Sequence, residues 1–150
     1  MTVNGQFPGV LRRPVPELEP YSAGFWAPAP ARRINLQTCS ACGAVQHPPL
    51  PVCAACGSGQ LGFVDHSGDG TAYSFVVCER TFNAAFEAEG RYVLASIALD
   101  EVPDVRIFSN IVGCDPDSVR IGARVRVRHD PLDSPDGPLS VPVFEPAEDA

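Results

Sequence analysis

The segments Cys39-Ser-Ala-Cys42-Gly43 and Cys53-Ala-Ala-Cys56-Gly57 decide the fold of the N-terminal half of this 150-residue chain. Each segment places two sulfur atoms on one side of a tight bend, and the glycine that follows tolerates a positive φ. Two such turns facing each other supply four thiolates in tetrahedral geometry, which is typical of a structural metal site. The sequence therefore predicts a metal site formed by Cys39, Cys42, Cys53 and Cys56.

Zinc is the metal that we expect in a site of four cysteines. Iron would use the same ligands and is the main alternative, and two disulfides are a further one. Four cysteines leave no open coordination position, so the metal is predicted to be structural and not catalytic. His47 lies between the two turns, and because the ligand set is already complete we interpret it as a loop histidine.

Composition narrows the class of protein. The formal net charge is −7, and all eleven basic residues are arginines. A nucleic-acid-binding domain is typically basic, so this balance argues against nucleic acid as a partner. No apolar run is long enough to span a bilayer, so no membrane partner is expected. Because no charged and then apolar leader begins the chain, a cytoplasmic location is expected, where thiolates stay reduced.

Residues 1–33 are predicted to form a proline-rich arm with at most one short helix, over residues 16–25. Three aromatic residues, Tyr21, Phe25 and Trp26, lie in the second half of this arm. Exposed aromatic side chains on an arm are typical of a docking element for a partner. The alternative is that these side chains pack on the chain's own β domain.

Residues 34–64 carry the two cysteine turns between short predicted strands at 34–37 and 61–64. A segment of this size cannot bury an adequate core alone, so the metal must hold it together. This pattern predicts a small zinc ribbon.

Residues 65–146 show β-rich runs at regular spacing with turn signals between them, and residues 147–150 form a short tail. A brief helical turn is expected after Asp115, a capping residue that precedes Pro116. Five strands with this turn between the third and the fourth predict a small barrel of the OB type, with an SH3-like barrel as the alternative. The predicted strands are 71–80, 92–99, 105–112, 123–129 and 139–144.

The run Arg124-Val-Arg-Val-Arg128 alternates between apolar and basic residues. In a strand, this places Val125 and Val127 in the core and the three arginines on the opposite face. Such a stripe is typical of a solvated surface or of an edge strand protected against aggregation. The alternative is an anion site, for example for the phosphates of a nucleotide-bearing cofactor.

Catalytic motifs are missing from the sequence. Cys78 and Cys114 are interpreted as small apolar residues rather than nucleophiles, because no neighbouring residue would lower their pKa values. No phosphate-binding glycine loop, dinucleotide fingerprint or metal-histidine motif is present. The chain is therefore predicted to be a binding or assembly module. Nucleic-acid binding and an independent hydrolase or transferase using Cys78 or Cys114 are the competing hypotheses.

The order of motifs resembles one family. It comprises a Phe-Trp arm, a ribbon Cys-x-x-Cys-Gly…His-Pro-Pro…Cys-x-x-Cys-Gly, the segment Ser-Gly-Asp-Gly-Thr-Ala-Tyr-Ser-Phe, the segment Asp-Val-Arg-Ile-Phe-Ser-Asn-Ile-Val-Gly-Cys and a final Val-Pro-Val-Phe-Glu-Pro. The sequence resembles the acyl-CoA-associated proteins that join a rubredoxin-like zinc ribbon to an OB fold, known as a domain of unknown function. It is most similar to the C-terminal domain of the steroid side-chain enoyl-CoA hydratase subunit that recruits a lipid-transfer-protein-like aldolase.

This resemblance implies a mainly β, non-catalytic subunit that carries structural Zn²⁺ and shares acyl-CoA with a thiolase-fold or lipid-transfer-protein-like enzyme in a hetero-oligomer. The catalytic residues would belong to that partner. The resemblance also implies contacts with the partner or with acyl-CoA, made by Tyr21, Phe25, Trp26, Arg32 and Arg33.

Overall fold

The computed structural model describes residues 13–147, which form an N-terminal arm, a three-stranded sheet and a five-stranded closed barrel. Residues 1–12 of the predicted arm and 148–150 of the predicted tail lie outside the described residues. The fold is mainly β, as predicted.

The arm contains one short helix, α1 (Ala23–Trp26). The predicted helix is therefore present, but it begins at Ala23 and not at position 16. The hydroxyl of Ser22 bonds to the backbone of Glu19, which closes a separate turn before α1. The helix ends at Trp26 because Ala27 is extended, the conformation favoured by a residue that precedes proline.

The ribbon sheet contains β1 (Arg33–Cys39), β2 (Val45–Gln46) and β3 (Leu61–Ser67) in the order β2-β1-β3, with antiparallel pairing throughout. The central strand is β1, whose Ile34 and Leu36 are fully buried. Phe25 of α1 joins the same apolar cluster, and Phe63 of β3 packs against it. The arm thus completes a core that the ribbon alone is too small to form.

The barrel contains five strands that close in the order β4-β5-β6-β8-β7. Its pairs are antiparallel except for the parallel contact between β6 and β8 at Ile111 and Phe144. A 3-10 turn at Pro116–Ser118 lies between β6 and β7 as predicted, and the Asp115 side chain accepts a 2.9 Å bond from the Asp117 N–H. A second 3-10 turn, Ala84–Glu89, was not predicted. The strands are β4 (Asp69–Cys78), β5 (Tyr92–Leu99), β6 (Arg106–Ile111), β7 (Arg124–Ser134) and β8 (Gly137–Pro146).

The interior of the barrel is filled by side chains that alternate with outward-facing ones along the strands. Along β5, every second side chain is buried, and the intervening ones face outward. Phe144 of β8 is fully buried and is among the largest side chains of the interior. The core residues of the barrel are Ala72, Val93, Ala95, Ile97, Leu99, Val105, Ile107, Ile111, Val119, Val125, Val127 and Phe144.

Hydrogen bonds join the ribbon directly to the barrel. His129 of β7 lies 2.6 Å from the backbone oxygen of Arg33 through Nε2 and 2.6 Å from the Ser140 hydroxyl through Nδ1. Since a carbonyl oxygen only accepts, Nε2 is the donor to Arg33, and Nδ1 is hydrogen-bonded to the Ser140 hydroxyl. The Nε2 bond therefore joins the barrel to the ribbon, while the contact with Ser140 of β8 holds the ring in place within the barrel.

Candidate metal centre

The four predicted ligands come together at one end of the ribbon. The Sγ atoms of Cys39, Cys42, Cys53 and Cys56 all lie within 4.8 Å of one another. Two of the sulfur pairs, Cys39 with Cys56 and Cys42 with Cys53, are 3.7 Å apart. A tetrahedral ion with metal–sulfur bonds of about 2.3 Å separates its sulfurs by about 3.8 Å. The cysteines present therefore fit such an ion, and the distances are far longer than a disulfide bond.

The two cysteine turns have the same backbone geometry. Gly43 and Gly57 have φ values of 79° and 74°, and each donates its N–H to the carbonyl of the first cysteine of its turn at 2.8 Å. The positive φ explains why glycine follows each Cys-x-x-Cys pair. This geometry directs both sulfur atoms of a turn toward the opposite turn.

The electrostatics of the cluster favour a bound cation. The backbone N–H groups of Cys56 and Ala55 lower the pKa of Cys53 to about 7. The Ser58 N–H lowers the pKa of Cys56, but the bonds with Cys42, Cys39 and Cys53, together with burial, raise it to about 12. Because close thiolates repel one another, the four thiols cannot all ionise near neutral pH without a cation among them.

His47 is not part of the ligand cluster. Its ring lies 4.6 Å from the ring of Phe25, and burial lowers the pKa of His47 to about 4. Its Nδ1 is buried with no hydrogen-bond partner among residues 13–147. His47 is thus a neutral packing residue beside the metal centre.

The aromatic residues of the arm differ in their accessibility. Phe25 is only 7% exposed, and its ring meets that of Trp26 edge-on at 5.0 Å. Trp26 is half-buried and packs against the core, whereas Tyr21 is exposed. The backbone oxygen of Tyr21 accepts a 3.3 Å bond from the side chain of Gln37. The arm thus packs on the chain's own ribbon and leaves Tyr21 accessible.

Arg32 and Arg33 are adjacent but have different environments. Arg33 donates to the Asp65 carboxylate at 2.8 Å and lies 3.8 Å from Glu101, and this pairing lowers the pKa of Asp65. Arg32 has a left-handed backbone with φ of 62°, and its exposed side chain has no ion-pair partner within residues 13–147. Arg32 is therefore the one of the two that is available to a ligand.

The arginine stripe lies where the alternation predicts it. Val125 and Val127 are buried, and the three arginines face outward. Each arginine bonds to a carboxylate, as shown by Arg124 with Asp100 at 2.5 Å, Arg126 with Glu145 at 3.1 Å and Arg128 with Asp130 at 3.0 Å. These acidic partners interrupt any continuous basic track of the kind that nucleic acid requires.

The two remaining cysteines lie outside the metal cluster and are half-buried. Cys78 faces Tyr92 across β4 and β5, and its hydrogen bond raises the pKa of Tyr92. Within the described part of the chain, no histidine hydrogen-bonds to Cys78 or Cys114. Neither thiol is therefore paired with an imidazole base among residues 13–147.

Sequence reasoning missed an apolar surface on the outside of the barrel, here called the barrel face. Tyr73, Val76 and Phe108 are more than half exposed, and the Arg106 guanidinium lies 4.3 Å from the centre of the Tyr73 ring. None of the ten residues of the face is acidic, although the chain contains 18 acidic residues, and the outward Asp69 at the start of β4 is paired with Arg126 of β7 outside the face. The alternation of β6, with Ile107 inward and Phe108 outward, was the signal for it. The barrel face consists of Thr71, Tyr73, Ser74, Val76, Leu94, Ser96, Ala98, Arg106, Phe108 and Asn110.

No helix in the described range 13–147 has the length and apolar character needed to cross a membrane.

Four clustered cysteines on a small ribbon, joined to a closed five-stranded barrel, define a protein of the zinc-ribbon plus OB-fold class. Residues 26–62 match the rubredoxin-like zinc-ribbon domain of ChsH2, and residues 63–130 match the ChsH2 C-terminal OB-fold domain. The chain belongs to the ChsH2/DUF35 family, as the motif order predicted.

Three curated relatives illustrate the family. A probable enoyl-CoA hydratase alpha subunit of Thermomonospora curvata is 38% identical over 135 residues, which is 90% of this chain and 40% of that protein. The 3-oxo-4,17-pregnadiene-20-carboxyl-CoA hydratase alpha subunit of Mycobacterium tuberculosis is 34% identical, over 94% of this chain and 42% of that protein. A DUF35 domain-containing scaffold protein of Methanothermobacter thermautotrophicus is 36% identical, over 64% of this chain and 72% of that protein. The chain thus spans less than half the length of the two hydratase subunits.

A solved structure shares most of this architecture. A chain of the Ltp2-ChsH2(DUF35) aldolase superimposes with a TM-score of 0.71 at 36% sequence identity. The match covers 88% of this chain and 98% of that chain.

Proposed function

We propose that this chain is a non-catalytic accessory subunit of a thiolase-fold acyl-CoA enzyme, a thiolase, an acyltransferase or a retro-aldolase. The observation that carries this proposal is the likeness to a chain of the Ltp2-ChsH2(DUF35) aldolase over nearly that chain's full length. The scaffold name of an archaeal relative agrees with such a role. The proposed partner binds in a hetero-oligomer and supplies the catalytic residues.

The proposed metal is Zn²⁺, held by Cys39, Cys42, Cys53 and Cys56. When bound, zinc supplies no chemistry beyond neutralising the thiolates and holding the two turns together, because four sulfurs leave no position for water or substrate. The ribbon strand β1, which also carries the arm, is thereby kept in place. Such a thiolate site stays reduced in the cytoplasm, which is the proposed location.

The described residues favour a supporting role over an enzymatic one. The closest arrangement to a catalytic pair is Ser140 with His129, 2.6 Å apart. Ser140 is buried, and the second nitrogen of His129 donates to the backbone oxygen of Arg33. A substrate therefore has no access to the hydroxyl, and His129 instead joins the barrel to the ribbon through the backbone oxygen of Arg33.

The barrel face is the proposed docking surface for the thiolase-fold partner. Exposed aromatic residues with an arginine are the residue types that dominate binding energy at protein interfaces. The lack of acidic residues on this face of an acidic chain means that little charge must be desolvated on docking. Arg106 is the one charged residue of the face, so the partner is expected to place a carboxylate opposite it.

The arm is the proposed contact with acyl-CoA and with the mouth of the partner's acyl channel. Tyr21 and Arg32 are exposed and offer an aromatic ring and a cation, respectively. The half-buried Trp26 packs edge-on against Phe25, and the buried Phe25 and the ion-paired Arg33 fix the position of the arm. The acyl group is proposed to be a steroid or related lipid side chain, in keeping with the printed name of the mycobacterial relative.

Co-purification tests the proposal directly. The tagged chain is co-expressed with each thiolase-like protein encoded in the same genome, and the eluate is analysed by size-exclusion chromatography with light scattering. A stable complex with one of them is expected. Separate elution of the chain from every candidate, with a folded and metal-loaded chain, would contradict the proposal.

A further inference from the structure

A cleft of about 410 Å³ lies between the end of the arm and the outer surface of the barrel. One wall is formed by Ala29, Ala31 and Arg32, just before β1. The other wall is formed by β7 and β8. The residues that the barrel contributes are Arg126, Val127, Arg128, His129 and Glu145.

Backbone hydrogen bonds fix the arm wall against the barrel wall. The N–H of Gly68 donates to the oxygen of Arg32 at 2.8 Å, and the N–H of Val127 donates to the oxygen of Gly68 at 2.8 Å. Gly68 permits this approach, because a Cβ at its position would lie 2.0 Å from Cγ1 of Val127. Arg32 is thus held beside the strand that carries Arg126 and Arg128.

The conformation of Arg32 indicates that its position is imposed. A left-handed backbone is uncommon for a residue with a long side chain, and here φ is 62°. The turn from Pro30 to Arg33, closed by a 3.0 Å bond, maintains this conformation. Strain of this kind persists where the surrounding structure over-determines it, and it clusters at ligand sites.

The charge of the cleft is positive. Three arginines face one glutamate, Glu145, which bonds to Arg126 at 3.1 Å and lies 3.9 Å from Arg128. Asp130 binds Arg128 outside the lining. Arg32 has no carboxylate partner within residues 13–147, so the arm wall carries an uncompensated cation opposite the two arginines of the barrel wall.

We infer that this cleft is an anion-binding site for a diphosphate-bearing small molecule. Guanidinium groups recognise phosphate oxygens bidentately, and arginines on two facing walls match a ligand with two adjacent phosphates. His129 has both ring nitrogens engaged and contributes only a wall. The diphosphate belongs either to free pyrophosphate or to a tailed molecule such as CoA. Only the second source rests on the proposed function.

Isothermal titration calorimetry on the full chain, metal-loaded and without a partner, tests the inference with inorganic pyrophosphate, CoA and pantetheine as probes. Saturable binding of pyrophosphate or CoA is expected, with no binding of pantetheine, which lacks the diphosphate. Arg32→Asn should weaken binding about tenfold or more, since it removes a charged donor. Asparagine tolerates the left-handed backbone, so the variant should fold. Arg128→Gln is the second variant, with a comparable loss expected.

Arg80→Asn is the matched control, because it removes the same charge from a residue outside the cleft, next to Phe82. Its affinity should equal that of the unmodified chain. Equal weakening by Arg80→Asn and Arg32→Asn, or no saturable binding of pyrophosphate or CoA, would overturn the inference. Tighter binding of CoA than of pyrophosphate identifies the tailed source, and equal affinities identify the free anion; either result supports the site. Because no partner is present in the calorimetry, a lack of anion binding would not argue against the proposed complex. Likewise, a lack of complex formation would not argue against the anion site.

Discussion

The side-chain amides of Gln37 and Gln46 hydrogen-bond to each other across β1 and β2, with 2.7 Å between Nε2 of Gln46 and Oε1 of Gln37. Gln37 is 1% exposed and also bonds to both the N–H and the oxygen of Leu50, at 2.9 Å each. Gln46 accepts from the N–H of Ala54 at 2.8 Å. Two glutamines therefore hold the loop that connects the two cysteine turns.

Replacing Gln37 should destabilise the ribbon. Gln37→Met keeps the approximate volume but leaves the N–H and the oxygen of Leu50 without their side-chain partner, and it removes one of the two bonds that the Nε2 of Gln46 donates. We expect a loss of about 2 kcal/mol in the free energy of unfolding. Chemical denaturation measures it, with the exposed Gln60→Met as the control, for which a change below about 0.5 kcal/mol is expected. Equal effects of the two variants would refute the network's role.

Removing one ligand should release the metal and unfold the ribbon locally. Cys42→Ser is expected to lose most bound zinc by elemental mass spectrometry and to lose amide protection in β1 and β3. Protection in β5 should persist, because the barrel has its own core. Cys78→Ser is the control. Because Cys78 lies outside the cluster, this variant should retain its zinc. Full zinc content in Cys42→Ser would contradict the assigned ligand set.

His47 should make stability depend on pH. Burial lowers its pKa to about 4 in the folded protein, whereas the unfolded chain has the ordinary value of 6.5. The unfolded state thus binds more protons below pH 6.5. Stability that is complete above this pH is lost as the pH falls through about 4, by about 3 kcal/mol in total.

His47→Phe isolates this effect, because phenylalanine keeps the ring contact with Phe25 and does not titrate. Denaturation at pH 7 and at pH 4.5 should show that the unmodified chain loses about 2 to 3 kcal/mol more than the variant. Acid protonates the cysteines in both proteins, so the difference reports on His47 alone. Parallel pH profiles of the two proteins would show that the histidine is not buried as described.

Gly68 should be irreplaceable at the junction of ribbon and barrel. Gly68→Ala would place a methyl group 2.0 Å from Cγ1 of Val127, and relieving this clash should cost about 3 kcal/mol of stability. Gly62→Ala is the matched control, since nothing lies within 4 Å of a Cβ there. Thermal unfolding measures the midpoints of both variants. Similar midpoints would mean that Gly68 and Val127 are not in close contact at the junction.

The barrel face should be needed for docking but not for folding. Phe108 is 68% exposed, so Phe108→Ser should leave the melting temperature nearly unchanged while weakening partner affinity about tenfold or more. Ile121→Ser removes an apolar side chain that is 73% exposed elsewhere and should not affect affinity. Biolayer interferometry with the co-purified enzyme provides the measurement. If Phe108→Ser binds the partner as tightly as the unmodified chain does, the interface lies on another surface.

Much of the fold was predictable because the sequence carries local signals for it. The cysteine turns, the strand over residues 92–99 and the alternation over residues 124–128 depend only on short-range geometry, and all three lie where the sequence predicts them. The hairpin of β7 and β8 is longer than predicted, and prolines explain the difference. Pro131, Pro138 and Pro142 suggest strand ends, yet they are tolerated here because each pairs with only one neighbouring strand.

The surroundings of the candidate sites depend on long-range contacts that no local signal encodes. The sequence around Phe25 is consistent with an exposed or a buried side chain. Its burial results from the packing of the arm on β1. The carboxylate partner of Arg126, Glu145, lies 19 residues away along the chain. The barrel face likewise depends on the order of strands β4, β5 and β6, which periodicity alone does not determine.

Turnover of an acyl-CoA thioester is the decisive measurement for the proposed role as an accessory subunit. The co-purified thiolase-fold enzyme alone, this chain alone and the mixture are each assayed for thioester cleavage or condensation with the same steroid or lipid acyl-CoA. We expect no turnover by the chain alone and a clear increase when it is added to the enzyme. Turnover by the isolated chain, or identical rates for the enzyme with and without it, would show that this chain is not a non-catalytic accessory subunit.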